Sequence, residues 1–455
     1  MSRKQSIFVQ IASYRDPECQ WTVKDLFEKA EYPDRVTVGI CSQCFPDLDR
    51  DCFIEPSPRP GQTKTISVLP SESLGVCWAR AKTQTLFEDQ DYVLMIDSHM
   101  RFIPGWDTAL IAELARCSSP KSFLSIYPPS YKPPDHLEES PQAIVLRAKP
   151  FTEQGDLRFE GETLAVKPSM PLRGAFLACG FIFAPGAFVR EVPYDPYMYF
   201  DHEEVTIAAR AYTHGWDVFS PPEAFVYHYY YEPDKGETRA LHWSDNRDWG
   251  HLQILSRARY NYLLAGIAPA ECPEALKDIT KYGLGPSRTI EEFQEFTGID
   301  FKKKTVSERA TQSQFIEGLD RYRRNEILPL KAGDAMPSFQ INGDKGVRYD
   351  IQTFAGKPYF LCVLPSNFDV YIREFLELCR LKDDDFTKLG FKIFLIAPLQ
   401  GEEAQFYRAL RIADKVHDTP FSYLLDATGK ISGLYNNRNA ENHINELLTA
   451  ANRHE

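Results

Sequence analysis

The sequence predicts an α/β protein in two parts: a nucleotide-binding-type, mostly parallel sheet first, and a smaller α/β domain after it. Three observations carry this. Residues 6–40 read strand–helix–strand, which implies a right-handed crossover between parallel strands. The run Tyr92-Val93-Leu94-Met95-Ile96 has the length of a fully buried strand and ends abruptly in Asp97-Ser98-His99. A fresh alternation of strands and helices begins near Ala332, well beyond what a single core serves in a chain of 455 residues.

In chain order, Ser6 to Ala12 is the first strand. Asp16 and Pro17 are the N-cap and first residue of a helix running to about Ala30. Arg35 to Ile40 is the second strand and Thr65 to Leu69 a third. Ser73 opens a helix from Leu74 to about Glu88, containing Gly75 to Arg80, which leads into the Asp97 strand. The proline-rich stretch 118–150 reads as a long surface excursion. Leu172 to Phe183, rich in small residues, is a strand that lets a ligand or another backbone approach closely. A helix starts at Glu203 with carboxylates at its head and ends at Gly215; Trp216 to Phe219 is a short strand. Ala224 to His228 is another apolar run ending in histidine. Residues 240–302 read as mainly helical, with Trp243, Trp249, Leu252, Ile254, Tyr260 and Leu263 as core candidates.

Composition narrows the function. A net charge of -12 excludes a general nucleic-acid binder, which needs a basic face. No run of about 18 apolar residues is present, and the N-terminal residues are too short for a signal-peptide apolar region, so neither a membrane span nor a leader is expected. Ten scattered cysteines, several in apolar surroundings, point to a reduced, cytoplasmic protein. Cys41 and Cys44 have zinc-knuckle spacing but no second pair follows, so they are read as structural.

The chemistry concentrates at Asp97 and His99. Ligands of open α/β sheets gather at the carboxyl ends of strands, and Asp-x-His there sets two metal ligands on one side of a turn. The pair suits a divalent ion holding a diphosphate. By itself it reads more readily as a cap and a surface histidine; the blocks that follow tip the balance.

Four blocks in order resemble the metal-dependent polypeptide sugar transferases of the GT-A fold: a strand ending Asp-Ser-His, a small-residue strand, an acidic helix start with a downstream arginine, and an apolar strand ending in His. Within them the chain is most similar to the cytoplasmic family that adds N-acetylglucosamine to hydroxyproline on a protein, related to the polypeptide N-acetylgalactosaminyltransferases. The resemblance covers roughly residues 6–302 and includes Arg288 to Phe293 with Gly298 to Phe301. It implies Asp97, His99 and His228 as ligands of Mn2+ or Mg2+, and Arg80 facing the diphosphate, with Arg173 a further candidate. It implies Gly174 to Gly180 beneath the donor sugar, and Glu203, with Asp201, as the catalytic carboxylates. Ser98 and Gly180 join the nucleotide-sugar site. Many relatives carry an Asp pair after the second strand; Ile40-Cys41-Ser42-Gln43 stands here instead, leaving Ala12, Ser13, Arg15 and Gln43 as candidates for the base and ribose. His202 and His214 are not expected as ligands. The implied reaction moves N-acetylglucosamine from a UDP-sugar to a protein hydroxyl with retention. The alternative is a decayed transferase domain serving as a scaffold.

Three segments follow: a transferase domain 1–302, with 240–302 a helical extension, a linking helix 303–330, and a domain 331–455. The last resembles a peroxiredoxin-type thioredoxin fold at Gly333 to Ile341, Phe354 to Leu361 and Phe421 to Lys430. Pro365-Ser366-Asn367-Phe368-Asp369 stands where that family carries its catalytic thiol. Thiolate chemistry needs a sulfur in that turn, so the domain reads as a redox-inactive docking or dimerisation module.

Overall fold

The computed structural model describes residues 5–52, 57–139, 141–232, 239–323, 340–342, 348–350, 358–363, 370–396, 421–427, 430–436 and 440–453. The chain divides into two compact units, Met1–Arg323 and Arg324–Glu455.

The first unit begins with β1 (Ile7–Tyr14), α1 (Glu18–Lys29), β2 (Val36–Gln43), β3 (Thr63–Val68), α2 (Val76–Gln84) and β4 (Tyr92–Asp97). A short β5 (Met100–Phe102), α3 (Trp106–Leu114), β6 (Ser122–Ser125), β7 (Tyr131–Lys132), β8 (His136–Leu137), β9 (Ile144–Ala148), β10 (Phe159–Thr163), β11 (Leu172–Arg173) and β12 (Phe181–Pro185) follow. Then come α4 (Ala187–Glu191), α5 (Glu203–Thr213), β13 (Asp217–Ser220), β14 (Val226–His228), α6 (His242–Asp245), α7 (Trp249–Ala265) and α8 (Ile290–Thr297). The main sheet has the order β11-β13-β6-β12-β4-β1-β2-β3. Its β3, β2, β1 and β4 are parallel neighbours, and β12 runs antiparallel to β4 and to β6.

Both faces of this sheet are buried, and the pleat sorts the side chains. Ile7, Val9 and Ile11 of β1, with Leu94 and Ile96 of β4, pack on one side with Val23 and Leu26 of α1 and Trp106 and Leu110 of α3. Phe8, Val93 and Met95 point the other way, into a core with Ile182, Val205 and Ala209. In α1 the buried residues Cys19, Thr22, Val23, Leu26 and Phe27 recur at helical spacing, one stripe against the sheet.

Three expectations are corrected. Stretch 118–150 is not simply a surface excursion: β6 is an interior strand of the main sheet, and Phe123 and Leu124 are almost wholly buried. Two apolar residues between serines give no strand signal by themselves. In 240–302, Tyr260 and Leu263 are buried as expected, but Trp243, Trp249 and Ile254 are exposed; α7 turns Gln253, Ser256 and Arg259 inward instead. Residues 303–323 are not a connecting segment. β15 (Ile299–Asp300) pairs with β16 (Thr305–Val306), and Phe315, Ile316 and Leu319 enter the first unit's core. The Arg323 guanidinium forks onto Glu162 of β10 at 2.6 and 2.7 Å.

In the second unit, a four-stranded sheet has the order Lys392–Ile396, Tyr359–Val363, Phe421–Leu425, Ile431–Asn436. Helices Val370–Lys388 and Ala440–Asn452 supply Phe375, Phe386, Ile444 and Leu447 to its core. The turn Pro365 to Asp369 lies outside the described residues, as do Gly333 to Phe339. Cys362 and Cys379 are buried, and burial pushes the Cys362 thiol up to about 12.

Candidate active site

The carboxyl ends of β1, β2 and β4 meet at one edge of the sheet. The register pairs Ala12 with Asp97 and Tyr14 with Gln43, and Phe181 with Ile96, so Gly180 abuts Asp97. The fit is close: a Cβ on Gly180 would stand 2.7 Å from Asp97 Oδ2. A separate two-stranded ladder brings in the distant histidine. β14 pairs with β5 so that His228 lies opposite Met100, next to His99.

Asp97, His99 and His228 each offer a ligand atom within 4.8 Å of the others. His99 Nδ1 lies 2.6 Å from Asp16 Oδ2. An ionised carboxylate only accepts, so Nδ1 carries the proton and the Nε2 lone pair faces the cavity, where Arg239 Nη1 lies 3.1 Å from it. That Nε2 is 3.1 Å from His228 Nε2, which is 3.2 Å from Asp97 Oδ2. Burial acts to raise Asp16, but His99, Ser98 and the Glu18 amide outweigh it and hold the carboxyl at about 2. Burial lowers His228 more than Asp97 raises it, which keeps the imidazole neutral, the form that ligates metals. Burial would also raise Asp97; His228, Arg80 and His99 hold it well below the carboxylate range. One carboxylate and two imidazoles converging on a point fit a divalent ion.

Around the triad is a cavity of about 440 Å³, within the usual small-molecule range of about 300–1,000 Å³. Its walls include Ala12, Gln43, Arg80, Ser98, Gly180, Asp201 and Glu203 along with the triad. Arg80 is almost fully buried. It bonds Asp97 Oδ1 at 2.6 Å, Tyr194 Oη at 3.0 Å and the Cys179 carbonyl, and its Nε lies 3.3 Å from Glu203 Oε1. That Nε and Glu203 Oε1 have no hydrogen-bond partner among the described residues. Burial and the Arg80 charge oppose one another at Glu203, and burial prevails, raising its carboxyl. Asp201, half-buried, accepts from Arg158 at 2.6 Å and Gln253 at 2.8 Å.

Three candidates stand outside the cavity. The Ser13 side chain is buried in β1. Arg15 is turned away, forking onto Asp49 and reaching Asp245 at 2.9 Å. Arg173 pairs with Asp217 at 2.7 Å, at the β11 edge of the sheet. His202 bonds Asp156 and Ser256, and His214 bonds the Arg210 carbonyl, so neither faces the triad.

The structure also adds residues. In sequence Asp16 reads as a helix cap; its Oδ1 does accept the Glu18 amide at 3.0 Å, but Oδ2 orients His99 and accepts Ser98 Oγ. Its position at the end of β1 was the available signal. Arg239, whose Nη1 is 3.1 Å from His99 Nε2, lines the cavity, as do Tyr127, Tyr199, Glu204, His242 and Trp243.

The sequence profile of the family described as Glycosyltransferase (GlcNAc) matches residues 6–59 and 56–303. The chain belongs to this glycosyltransferase family. A second profile, the AhpC/TSA family, matches residues 332–452, so the smaller unit of this glycosyltransferase is similar to peroxiredoxins and thioredoxins. Among solved structures it is similar to GalNAc-T7 crystallised with UDP, GalNAc and Mn2+, at 12% identity and a TM-score of 0.46 over 74% of this chain. The chain spans 61% of the length of that structure. Peroxiredoxin Q of Xanthomonas campestris (14% identity, TM-score 0.23) is matched over 28% of this chain and 97% of its own. A thiol:disulfide interchange protein DsbE of Chlorobium tepidum (19% identity, TM-score 0.21) is matched over 27% of this chain and 97% of its own. No curated protein matches.

Proposed function

We propose that the first unit is a divalent-metal-dependent transferase that moves a sugar from a UDP-sugar, N-acetylglucosamine by family, to a hydroxyl group of a protein. Hydroxyproline is the acceptor the resemblance points to. The observation that carries this reading is the convergence of Asp97, His99 and His228 in the wall of a cavity that also holds Arg80 and Arg239. Such a site offers cationic and metal-ligating groups to a diphosphate.

In the transfer, the bond between the sugar's anomeric carbon and the β-phosphate oxygen breaks. A bond forms from that carbon to the acceptor oxygen, and the hydroxyl proton passes to the leaving diphosphate. Asp97, His99 and His228 would hold a divalent ion, which would supply Lewis-acid stabilisation of the departing phosphate charge. Arg239 adds a charge-assisted donor on the same side. Asp97 is preset by Arg80, which occupies Oδ1 and leaves Oδ2 towards the histidines. We assign Glu203 and Glu204, which line the same cavity, to the sugar end. We assign the second unit a docking or dimerisation role without thiol chemistry, in keeping with its two buried cysteines among the described residues.

UDP release from a panel of UDP-sugars, with and without Mn2+, tests the reading. Wild type should turn over one donor in a Mn2+-dependent way. Asp97→Ala and His228→Ala should each lose about 100-fold or more, as when a charge-stabilising group is removed from a transition state. If wild type shows neither turnover nor calorimetric binding of UDP with Mn2+, the reading is wrong and the scaffold alternative stands.

A further inference from the structure

We infer that Cys44 and Cys52 form a reversible oxidation site, at which a hydroperoxide joins the two thiols as a disulfide and thereby weakens nucleotide binding. The weakening rests on the nucleotide-sugar reading above; the oxidation does not.

The spacing of Cys41 and Cys44 points to the wrong pair. Cys41 lies inside β2, opposite Ala12 of β1, whereas Cys44 stands just past the end of that strand. From there the chain doubles back. The Asp49 amide donates to the Phe45 carbonyl at 2.9 Å, and the Cys52 amide to the Asp49 carbonyl at 3.0 Å. This turn sets the Cys52 thiol against the Cys44 sulfur, to which it donates a hydrogen bond. Both cysteines are buried, yet the turn between them faces solvent: Leu48 is 73% exposed. Among the described residues, Asp97, His99 and His228 are the one group of three that could hold a metal. The cysteine pair therefore lacks the further ligands that a zinc site needs.

Three donors converge on the Cys44 sulfur: the Cys52 thiol, the Ser42 hydroxyl at 3.6 Å and the Arg15 amide. With the Cys52 hydrogen bond foremost, they bring the Cys44 thiol down to about 7 against burial and the Asp49 charge. The same hydrogen bond holds the Cys52 thiol up. The two are thus divided into an attacking thiolate and a resolving thiol. In the first step the Cys44 thiolate attacks a peroxide oxygen and the O–O bond breaks. The leaving oxygen takes up the proton that Cys44 had given up, and a sulfenic acid remains on Cys44. Cys52 then sheds its proton towards Asp51 Oδ1, 3.7 Å away, and its sulfur attacks that of Cys44. The S–O bond breaks, and hydroxide leaves with that proton as water. In all, the two sulfurs give two electrons to the peroxide.

The turn is tied to the cavity. Asp49, inside the stretch that the cysteines bracket, accepts the Arg15 fork, and Arg15 reaches on to Asp245 of α6 at 2.9 Å. Tyr14 Oη donates to the same Asp245 at 3.0 Å. α6 supplies His242 and Trp243 to the cavity wall, and Gln43, next to Cys44, lines it too. An S–S bond of about 2.0 Å is far shorter than a contact between two thiols. Forming it must tighten the turn, move Asp49 and loosen the grip that Arg15 keeps on α6.

The full-length protein is reduced, then treated with hydrogen peroxide, as wild type, Cys44→Ser and Cys52→Ser. Peptide mass mapping without reduction locates the bond, and calorimetry follows UDP with Mn2+ before oxidation, after it, and after dithiothreitol. Wild type should yield a peptide pair joined through Cys44 and Cys52, and its UDP affinity should fall about fivefold or more and return with dithiothreitol. Cys52→Ser should stop at a sulfenic acid on Cys44 that dimedone traps, and Cys44→Ser should give no label at either position. Both reduced variants should bind UDP within about twofold of wild type, which separates the oxidation from a merely structural role of the thiols. Cys52→Ser reports even if Cys44→Ser folds poorly. Absence of the Cys44–Cys52 peptide, or a bond between other cysteines, would overturn the site. A disulfide that leaves UDP affinity unchanged would overturn its effect on the cavity. A reduced wild type that binds no UDP sinks the nucleotide-sugar reading and that effect with it, while the mapping still decides the oxidation.

Discussion

Asp16 decides which nitrogen of His99 faces the cavity. At 2.6 Å its carboxylate holds the proton on Nδ1, so Nε2 is presented as a lone pair. Such outer carboxylates commonly contribute about 10–100-fold in metal affinity. Asp16→Asn, which keeps the size but loses the charge, should weaken Mn2+ binding by about that factor while the fold persists; titration followed by the paramagnetic signal of free Mn2+ checks it. An unchanged affinity would remove Asp16 from the site. At this scale the sequence was legible where one residue type had one use. Asp97 and His99 at the end of an apolar strand stood out. Asp16 did not, because a helix cap and an imidazole-orienting carboxylate look alike on paper, and the structure has it do both. Resemblance places Arg80 at the diphosphate, with Arg173 a further candidate; the fold sends Arg80 into the cavity wall and Arg173 to Asp217.

At the scale of elements, α5 begins with an unusual burden. Glu203 and Glu204 occupy its first turn, where the helix dipole favours negative charge, yet burial raises the carboxyl of Glu203 and pushes Glu204 up to about 7. The unfolded glutamate titrates near 4.3. As pH rises from about 4.5 to 7, the unfolded chain gives up this proton before the folded one does. Stability contributed by the protonated form is therefore complete below that window, lost across it and flat above. Glu204→Gln does not titrate, so metal-free protein carrying it should gain on wild type as pH rises from 4.5 to 7.5. The gain should reach about 2 kcal/mol, allowing for the side of Glu204 that faces the open cavity. Thermal melts in chelator across that range give the answer, and parallel curves would refute it. α5 itself was readable from its acidic head and from Gly215, whose φ of +87° suits only glycine comfortably. β6 was not: Ser-Phe-Leu-Ser carries no alternation long enough to register, and its place in the sheet comes from its neighbours β12 and β13.

For the whole molecule, the two-part organisation was legible because the strand–helix pattern restarts, but the place of division was not. The polar surface of residues 303–313 resembles a linker, while the apolar side chains that follow belong to the first core. Phe315, Ile316 and Leu319 are buried in it, and Ser313 Oγ donates to the Leu146 carbonyl at 3.0 Å. Burying three such side chains contributes about 1.5–3 kcal/mol each, comparable to the whole stability of many domains. A chain ending at residue 323 should therefore unfold cooperatively and bind UDP with Mn2+, whereas one ending at 302 should be insoluble or melt at least 10 °C lower. Equal melting temperatures would show that the last layer is dispensable.

The ladder between β14 and β5 has one more consequence. It sets His228 against His99 across 129 residues of chain. An ion shared by the two histidines would act as a reversible cross-link, closing a loop longer than most disulfides span. Unlike a disulfide, such an ion leaves the unfolded chain unrestricted and stabilises by binding the folded state alone. At 100 times its dissociation constant the ion would add about 2.7 kcal/mol to folding. The resistance of the first unit to heat and proteolysis would then track the supply of a trace metal, so that a cell short of manganese would lose the protein as well as its activity.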